Sequence, residues 1–143
     1  MKYFSLLLLF IVFTSCSSDS NKNSSVSERK NYSDLEMIKD NVWVDKNTKK
    51  LFSGIAYLLN DDQSIHYEIN YVNGKANGDY IVYYDSTKFD STNGLIRYKA
   101  TYVNSLLEGE FRAFRKDGSL NSNLFYKNSQ PNGKGVYFYK NGQ

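Results

Sequence analysis

The chain has 143 residues, a formal charge of +3, thirteen Tyr, nine Phe, a single Pro and a single Cys. So even a charge balance excludes the strongly basic footprint of a nucleic-acid binder, and a lone Cys excludes an internal disulfide framework. Abundant aromatics with so little Pro suit pleated, half-buried surfaces and point to an all-β domain.

Lys2 gives a positive start, and residues 4–13 read FSLLLLFIVF. Crossing a bilayer takes about 20 apolar residues, so this run is too short to span one. A charged start before a short apolar stretch is the pattern of a secretory signal, here residues 1–15. The next segment, Val12-Phe13-Thr14-Ser15-Cys16, resembles the lipobox of bacterial lipoproteins. That resemblance implies cleavage before Cys16 and its acylation, which also accounts for a lone thiol in an exported chain. Two or more acyl chains on one Cys anchor stably, so membrane lipid is the first expected partner. Loss of Lys2 with the signal lowers the charge to +2.

Residues 17–33, SSDSNKNSSVSERKNYS, carry too few apolar groups to fold and read as a tether, so that 16–33 comprises the lipidated Cys and a flexible spacer. Such a spacer reaches about 23 Å. Ser17 stands where the lipoprotein class uses Asp for inner-membrane retention, so the resemblance implies an exported protein at the outer membrane.

Residues 34–143 form one domain, and they repeat. Tyr71-Val-Asn-Gly-Lys-Ala-Asn-Gly78 is followed by Tyr102-Val-Asn-Ser-Leu-Leu-Glu-Gly109 and by Tyr126-Lys-Asn-Ser-Gln-Pro-Asn-Gly133, with a degenerate copy ending at Gly54. The glycines Gly54, Gly78, Gly109 and Gly133 are spaced 24, 31 and 24, and the extra seven residues fall in the loop 85–93. Asn-Gly and Asp-Gly pairs at 73–74, 77–78, 93–94, 117–118, 132–133 and 141–142 predict tight turns, because these residues tolerate positive φ. Period-two alternation puts Ile65, Tyr67, Ile69 and Tyr71 on one strand face, and Ile96, Tyr98, Ala100 and Tyr102 on another. The aromatics two and five residues after each glycine, Tyr80 and Tyr83 then Phe111 and Phe114, fall on opposite faces unless a bulge intervenes. Strands are predicted at 42–45, 55–59, 64–72, 79–85, 95–104, 110–115, 120–127 and 135–140.

The motif Tyr-x-Asn-Gly-Lys-x-x-Gly before an aromatic strand resembles the variant MORN repeat, and residues 34–143 resemble proteins of the YwqK-type antitoxin family. The resemblance implies a single-layer twisted antiparallel meander of tandem β-hairpins. Ser105 and Ser129 replace the turn glycine, so these two copies read as worn.

Chemistry is sparse. His66 is the only His, and a lone His on the polar side of a strand suggests neither catalysis nor metal binding. Asp61, Asp62, Asp85 and Asp90 sit in turns, where Asp is common for backbone reasons, and lack calcium-loop spacing. Asn73-Gly74-Lys75 opens a strand and not a helix, so it is no phosphate loop. The Tyr and Phe rows read as core before they read as a ligand platform. The expectation is a non-enzymatic, cofactor-free, metal-free envelope module that binds a protein partner and no nucleic acid. The alternative is an antitoxin-like or immunity protein that neutralises a toxin. The candidate binding surface is an edge strand containing Val136, Tyr137, Phe138 and Tyr139, which only Lys134 and Lys140 protect by charge.

Overall fold

Runs in which aromatic or β-branched residues alternate with polar ones build long strands, since one face can be buried while the other stays wetted. The computed structural model describes residues 27–85 and 94–140. In chain order these form β1 (Arg29–Asn31), a 3-10 turn (Tyr32–Asp34), β2 (Leu35–Ile38), a second 3-10 turn (Lys39–Asn41) and β3 (Val42–Asp45). There follow β4 (Gly54–Leu59), β5 (Ile65–Val72), β6 (Lys75–Tyr83), β7 (Ile96–Val103), β8 (Leu106–Phe114), β9 (Leu120–Lys127), β10 (Gln130–Pro131) and β11 (Val136–Tyr137).

The fold is all-β. Strands β4 to β10 lie side by side in chain order in one open sheet, antiparallel throughout, and β11 returns onto β9. At the opposite edge β1 pairs with β4 in parallel, with Arg29 opposite Ile55 and Asn31 opposite Tyr57. This edge strand lies inside the segment assigned to the tether. Beside its own side-chain ion pairs, Ile55 N–H donates to Glu28 O at 2.7 Å, and Tyr32, just beyond it, packs on the core.

Strands β2 and β3 form a separate two-stranded sheet. It covers the first part of one face of the large sheet, so the meander is single-layered only beyond it. The core lies between the two: Leu35 and Phe52 pack on Ala56, Ile69, Tyr71 and Ala76, with Tyr32, Trp43, Tyr80 and Tyr102 around them. Backbone bonds lock the cover down. Trp43 N–H donates to Gly74 O, and Gly74 N–H donates to Phe52 O. Aromatic edges extend the packing across the sheet, from Trp43 to Tyr32 (4.9 Å between ring centres), Tyr67 (5.5 Å), Tyr80 (6.0 Å) and Tyr102 (5.8 Å).

Each repeat is a hairpin with two irregularities, and these correct the expected registers. The turns lie at Asn73-Gly74, Asn104-Ser105 and Asn128-Ser129, all with positive φ. The second glycine makes no turn. Ile69 pairs with Tyr80 and Tyr71 with Ala76, so four steps along β6 face two along β5 at Gly78. The same offset recurs at Gly109, where Lys99 pairs with Arg112 and Thr101 with Glu108, and at Gly133, between Tyr126–Pro131 and Asn123–Val136. Strands β6 and β8 therefore start before their glycines, at Lys75 and Leu106, and not after them. The expected strand at 135–140 shortens to β11, and the same irregularity separates it from β10, which precedes Gly133.

The offset is even, so side-chain alternation survives it. Tyr80 stays on the core face, and Tyr83 on the other donates its hydroxyl to Glu68. A second bulge opens β5, β7 and β9. Tyr67 pairs with Leu58 but Ile65 with Leu59, and Tyr98 with Val82 but Ile96 with Tyr83. Ile65 and Ile96 thus leave the face of Tyr67 and Tyr98, against the alternation expected from sequence. The bulged residues turn onto the aromatic side instead: His66 sits 5.6 Å from the Tyr67 ring, and the Arg97 guanidinium 4.9 Å from that of Tyr98. Closing bonds at the far ends are equivalent, Asn60 N–H to Ser64 O, Tyr84 N–H to Leu95 O and Arg115 N–H to Ser119 O. The extra seven residues lie within the middle one; residues 86–93 fall outside the described residues.

Candidate functional site

Neighbouring hairpins are joined by more than strand pairing. Ser105 N–H donates to Ala76 O at 2.8 Å while Ser105 Oγ accepts from Ala76 N–H at 3.2 Å. One repeat later, Ser129 N–H donates to Leu107 O at 3.0 Å and Ser129 Oγ accepts from Leu107 N–H at 2.9 Å. These two serines, which read as worn glycines, tie one hairpin tip to the next, and Glu108 adds a bond from the Asn128 N–H at 2.7 Å. Ser105 and Ser129 take the positive φ that Gly74 takes in the first turn, and unlike Gly they add an acceptor oxygen. Nothing in a single sequence marks that role; it needs the partner tip in place.

The position equivalent to Ala76 and Leu107 in the last hairpin is Pro131. It has no N–H to give, so this tip cannot be tied by a further serine in the same way. The outer edge of the sheet therefore carries a Pro, in addition to Lys134 and Lys140, and is broken into the two short strands β10 and β11.

The candidate edge residues lie where β11 runs along β9. Val136 pairs with Asn123 and Tyr137 with Ser122, and Phe138 N–H donates to Asn121 O at 2.9 Å. Val136, Tyr137, Phe138 and Tyr139 are all exposed, Tyr137 at 68% and Tyr139 at 74%. Beside them a groove of about 310 Å³ runs between Leu124, Tyr126, Pro131, Gly135 and Tyr137. The Leu124 side chain stands where a Cβ of residue 135 would be. Position 135 is Gly where the earlier hairpins carry Tyr80 and Phe111, and position 122 is Ser where they carry Tyr67 and Tyr98. The aromatic row Tyr98–Phe111–Tyr126 consequently stops at Tyr126.

A cross-strand pattern runs through the repeats. Gly54 pairs with Tyr71, Gly78 with Tyr102 and Gly109 with Tyr126. Each of these glycines thus stands directly opposite a tyrosine of the neighbouring strand. Gly109 and the fourth glycine of the series, Gly133, both have open space where a Cβ would be.

The polar side of the sheet holds ion pairs that serve the fold. Arg29 bonds Glu68 at 2.9 Å, and Glu68 also accepts from Tyr83. Burial, then the Glu68 contact, pushes the Tyr83 phenol up to about 12. Lys99 meets Asp79 at 3.2 Å, and Arg112 meets Glu110. Asp45 accepts from Lys30 and from the N–H groups of Asn47 and Thr48. The Lys30 ammonium, then the Thr48 N–H, hold the Asp45 carboxyl well below the usual carboxylate range.

His66 Nδ1 lies 3.0 Å from Asp85 Oδ1, in a shallow cleft with Asp61 and Asp62. Asp62 caps its own turn by accepting from Ser64 N–H, as Asp117 does from Ser119 N–H. Cys16 lies outside the described residues. The chain matched no family model, no curated protein and no solved structure.

Proposed function

We propose that this chain is an exported lipoprotein, anchored through acylated Cys16, whose β domain is a non-catalytic binding module presenting the β10–β11 edge to a protein partner. The anchor rests on the order of charge, apolar run and small residues before Cys16. The binding surface rests on one observation: Val136, Tyr137, Phe138 and Tyr139 are exposed together beside a groove at one of the two edges of the sheet. Exposed apolar groups gathered in one patch, and not scattered singly, mark interaction sites. An added strand finds backbone partners there and a pocket for its side chains.

Two measurements test the reading. Mass spectrometry of the mature N-terminus is expected to find a lipid-modified Cys16, and Cys16→Ser to abolish lipid labelling; an unmodified thiol or cleavage elsewhere rejects the anchor. Membrane affinity capture with the wild-type chain and with Val136→Lys/Phe138→Lys is expected to lose partners specifically in the variant. Identical captures from both remove the edge from consideration.

A further inference from the structure

We infer that the partner for which the β10–β11 edge is built is a second copy of this chain, paired antiparallel about a two-fold axis through Val136. This rests on the reading of that edge as the binding surface and names its occupant.

The order of residues along the edge carries the inference. Residues 133–139 read Gly-Lys-Gly-Val-Tyr-Phe-Tyr. Two such segments, antiparallel and centred on Val136, place Tyr137 of each copy opposite Gly135 of the other, and Tyr139 opposite Gly133. That repeats between chains the register seen three times within one, where Tyr71, Tyr102 and Tyr126 pair with Gly54, Gly78 and Gly109. The contact is continuous with the interface that already joins successive hairpins. It also covers the two most exposed aromatics of the edge, at 68% and 74%.

The backbone agrees. Asn132 and Phe138 turn their N–H groups inward, to Phe125 O and Asn121 O. By alternation, Tyr137 and Tyr139 turn theirs outward, toward the incoming strand. On the polar face the same register sets Lys134 against Phe138 of the other copy, a cation beside an aromatic and not beside a second lysine. Pro131 rules against the obvious competitor, a further hairpin of the same kind. Such a hairpin needs an N–H where Ala76 and Leu107 supply one, whereas pairing over 133–139 makes no use of that position. A two-fold contact is isologous and closes at two copies, so it consumes the edge without growing a fibre.

Cysteine cross-linking of the full chain in its membrane or in detergent tests the register. Directly opposed residues of this kind have Cα atoms about 4.5 Å apart, within disulfide reach. Val136→Cys is therefore expected to give a disulfide-linked dimer on mild oxidation. Lys134→Cys alone is expected to stay monomeric, because its equivalent lies four residues, about 13 Å, along the strand. Mixing Lys134→Cys with Phe138→Cys chains is expected to yield the mixed dimer. The parent chain, with Cys16 alone, is oxidised in parallel, and the linked peptide is identified by mass spectrometry. Tyr139→Gly is expected to weaken association about tenfold, since two-fold symmetry removes the contact twice. The inference is overturned if Val136→Cys remains monomeric, or if Lys134→Cys links as readily as Val136→Cys. A monomer whose edge still captures a different protein, in a manner abolished by Val136→Lys/Phe138→Lys, overturns self-pairing and leaves the broader binding reading standing.

Discussion

Ser105 serves a turn and a repeat interface at once. Its backbone takes a φ of 66°, which costs a non-glycine residue some strain, and its hydroxyl oxygen accepts a hydrogen bond from the Ala76 N–H of the preceding tip. A net hydrogen bond is worth about 1 kcal/mol, and leaving the Ala76 N–H without a partner costs about 1–3 kcal/mol. Ser105→Ala keeps the strain and loses the bond, so it is expected to destabilise the domain by about 1–2 kcal/mol in denaturant titration. Ser105→Gly loses the same bond but relieves the backbone, and is expected to cost clearly less. Equal losses in both variants would show that the hydroxyl contributes nothing. Gly78 presents the opposite constraint. At φ 117° a Cβ would meet the Asn70 side chain at 2.9 Å, so a substituent there faces strain and a clash together.

At the scale of elements, the two edge strands are closed by different means. On the β4 side, chain from before the repeats adds β1 in parallel, and it fits only because residue 54 is Gly: a Cβ there would stand 2.2 Å from Glu28 O. Gly54→Ala is accordingly expected to expel β1. Hydrogen exchange would show it as lost protection at the Ile55 amide, which donates to Glu28 O, while β7–β9 stay protected. On the β9 side, Pro131 and the split between β10 and β11 shorten the exposed ladder. Pro131→Ala restores an outward-facing donor on an exposed residue with little effect on the fold. Its expected consequence is more irregular self-association, read by light scattering against the wild type.

At the scale of the whole molecule, half the sheet has a cover and half relies on its own aromatic rows. Under the cover, Tyr32 and Tyr71 share a hydroxyl hydrogen bond of 2.7 Å. Burial is the main cause that raises the phenol pKa of Tyr32, Tyr67, Tyr71 and Tyr80. A folded pKa above the unfolded value of about 10 means that this stability is fully present below pH 10. It is lost as pH rises, because the unfolded chain releases those protons first. Alkaline titration followed by tyrosinate absorbance and circular dichroism is expected to show these phenols ionising only together with loss of β structure. Smooth ionisation of all tyrosines near pH 10, with the sheet intact, would contradict the packing.

The repeat, the strand content and the site of the seven-residue insertion were legible in the sequence, because glycine spacing and period-two alternation follow from local backbone geometry. So was the exposure of the 136–139 segment as an edge. The role of the second glycine was not legible: Asn77-Gly78 reads as a turn, and only pairing with β5 makes it a bulge, opposite Tyr102 on β7. The same holds for Ile65 and Ile96, which bulges in β5 and β7 move to the other face. Ser105, Ser129 and Pro131 gain their meaning only from the neighbouring hairpin tip, and β1 only from the free edge of β4. These are contacts between segments distant along the chain. Local propensity sets which residues can turn or extend, but the neighbour that each backbone group finds is decided when the hairpins stack.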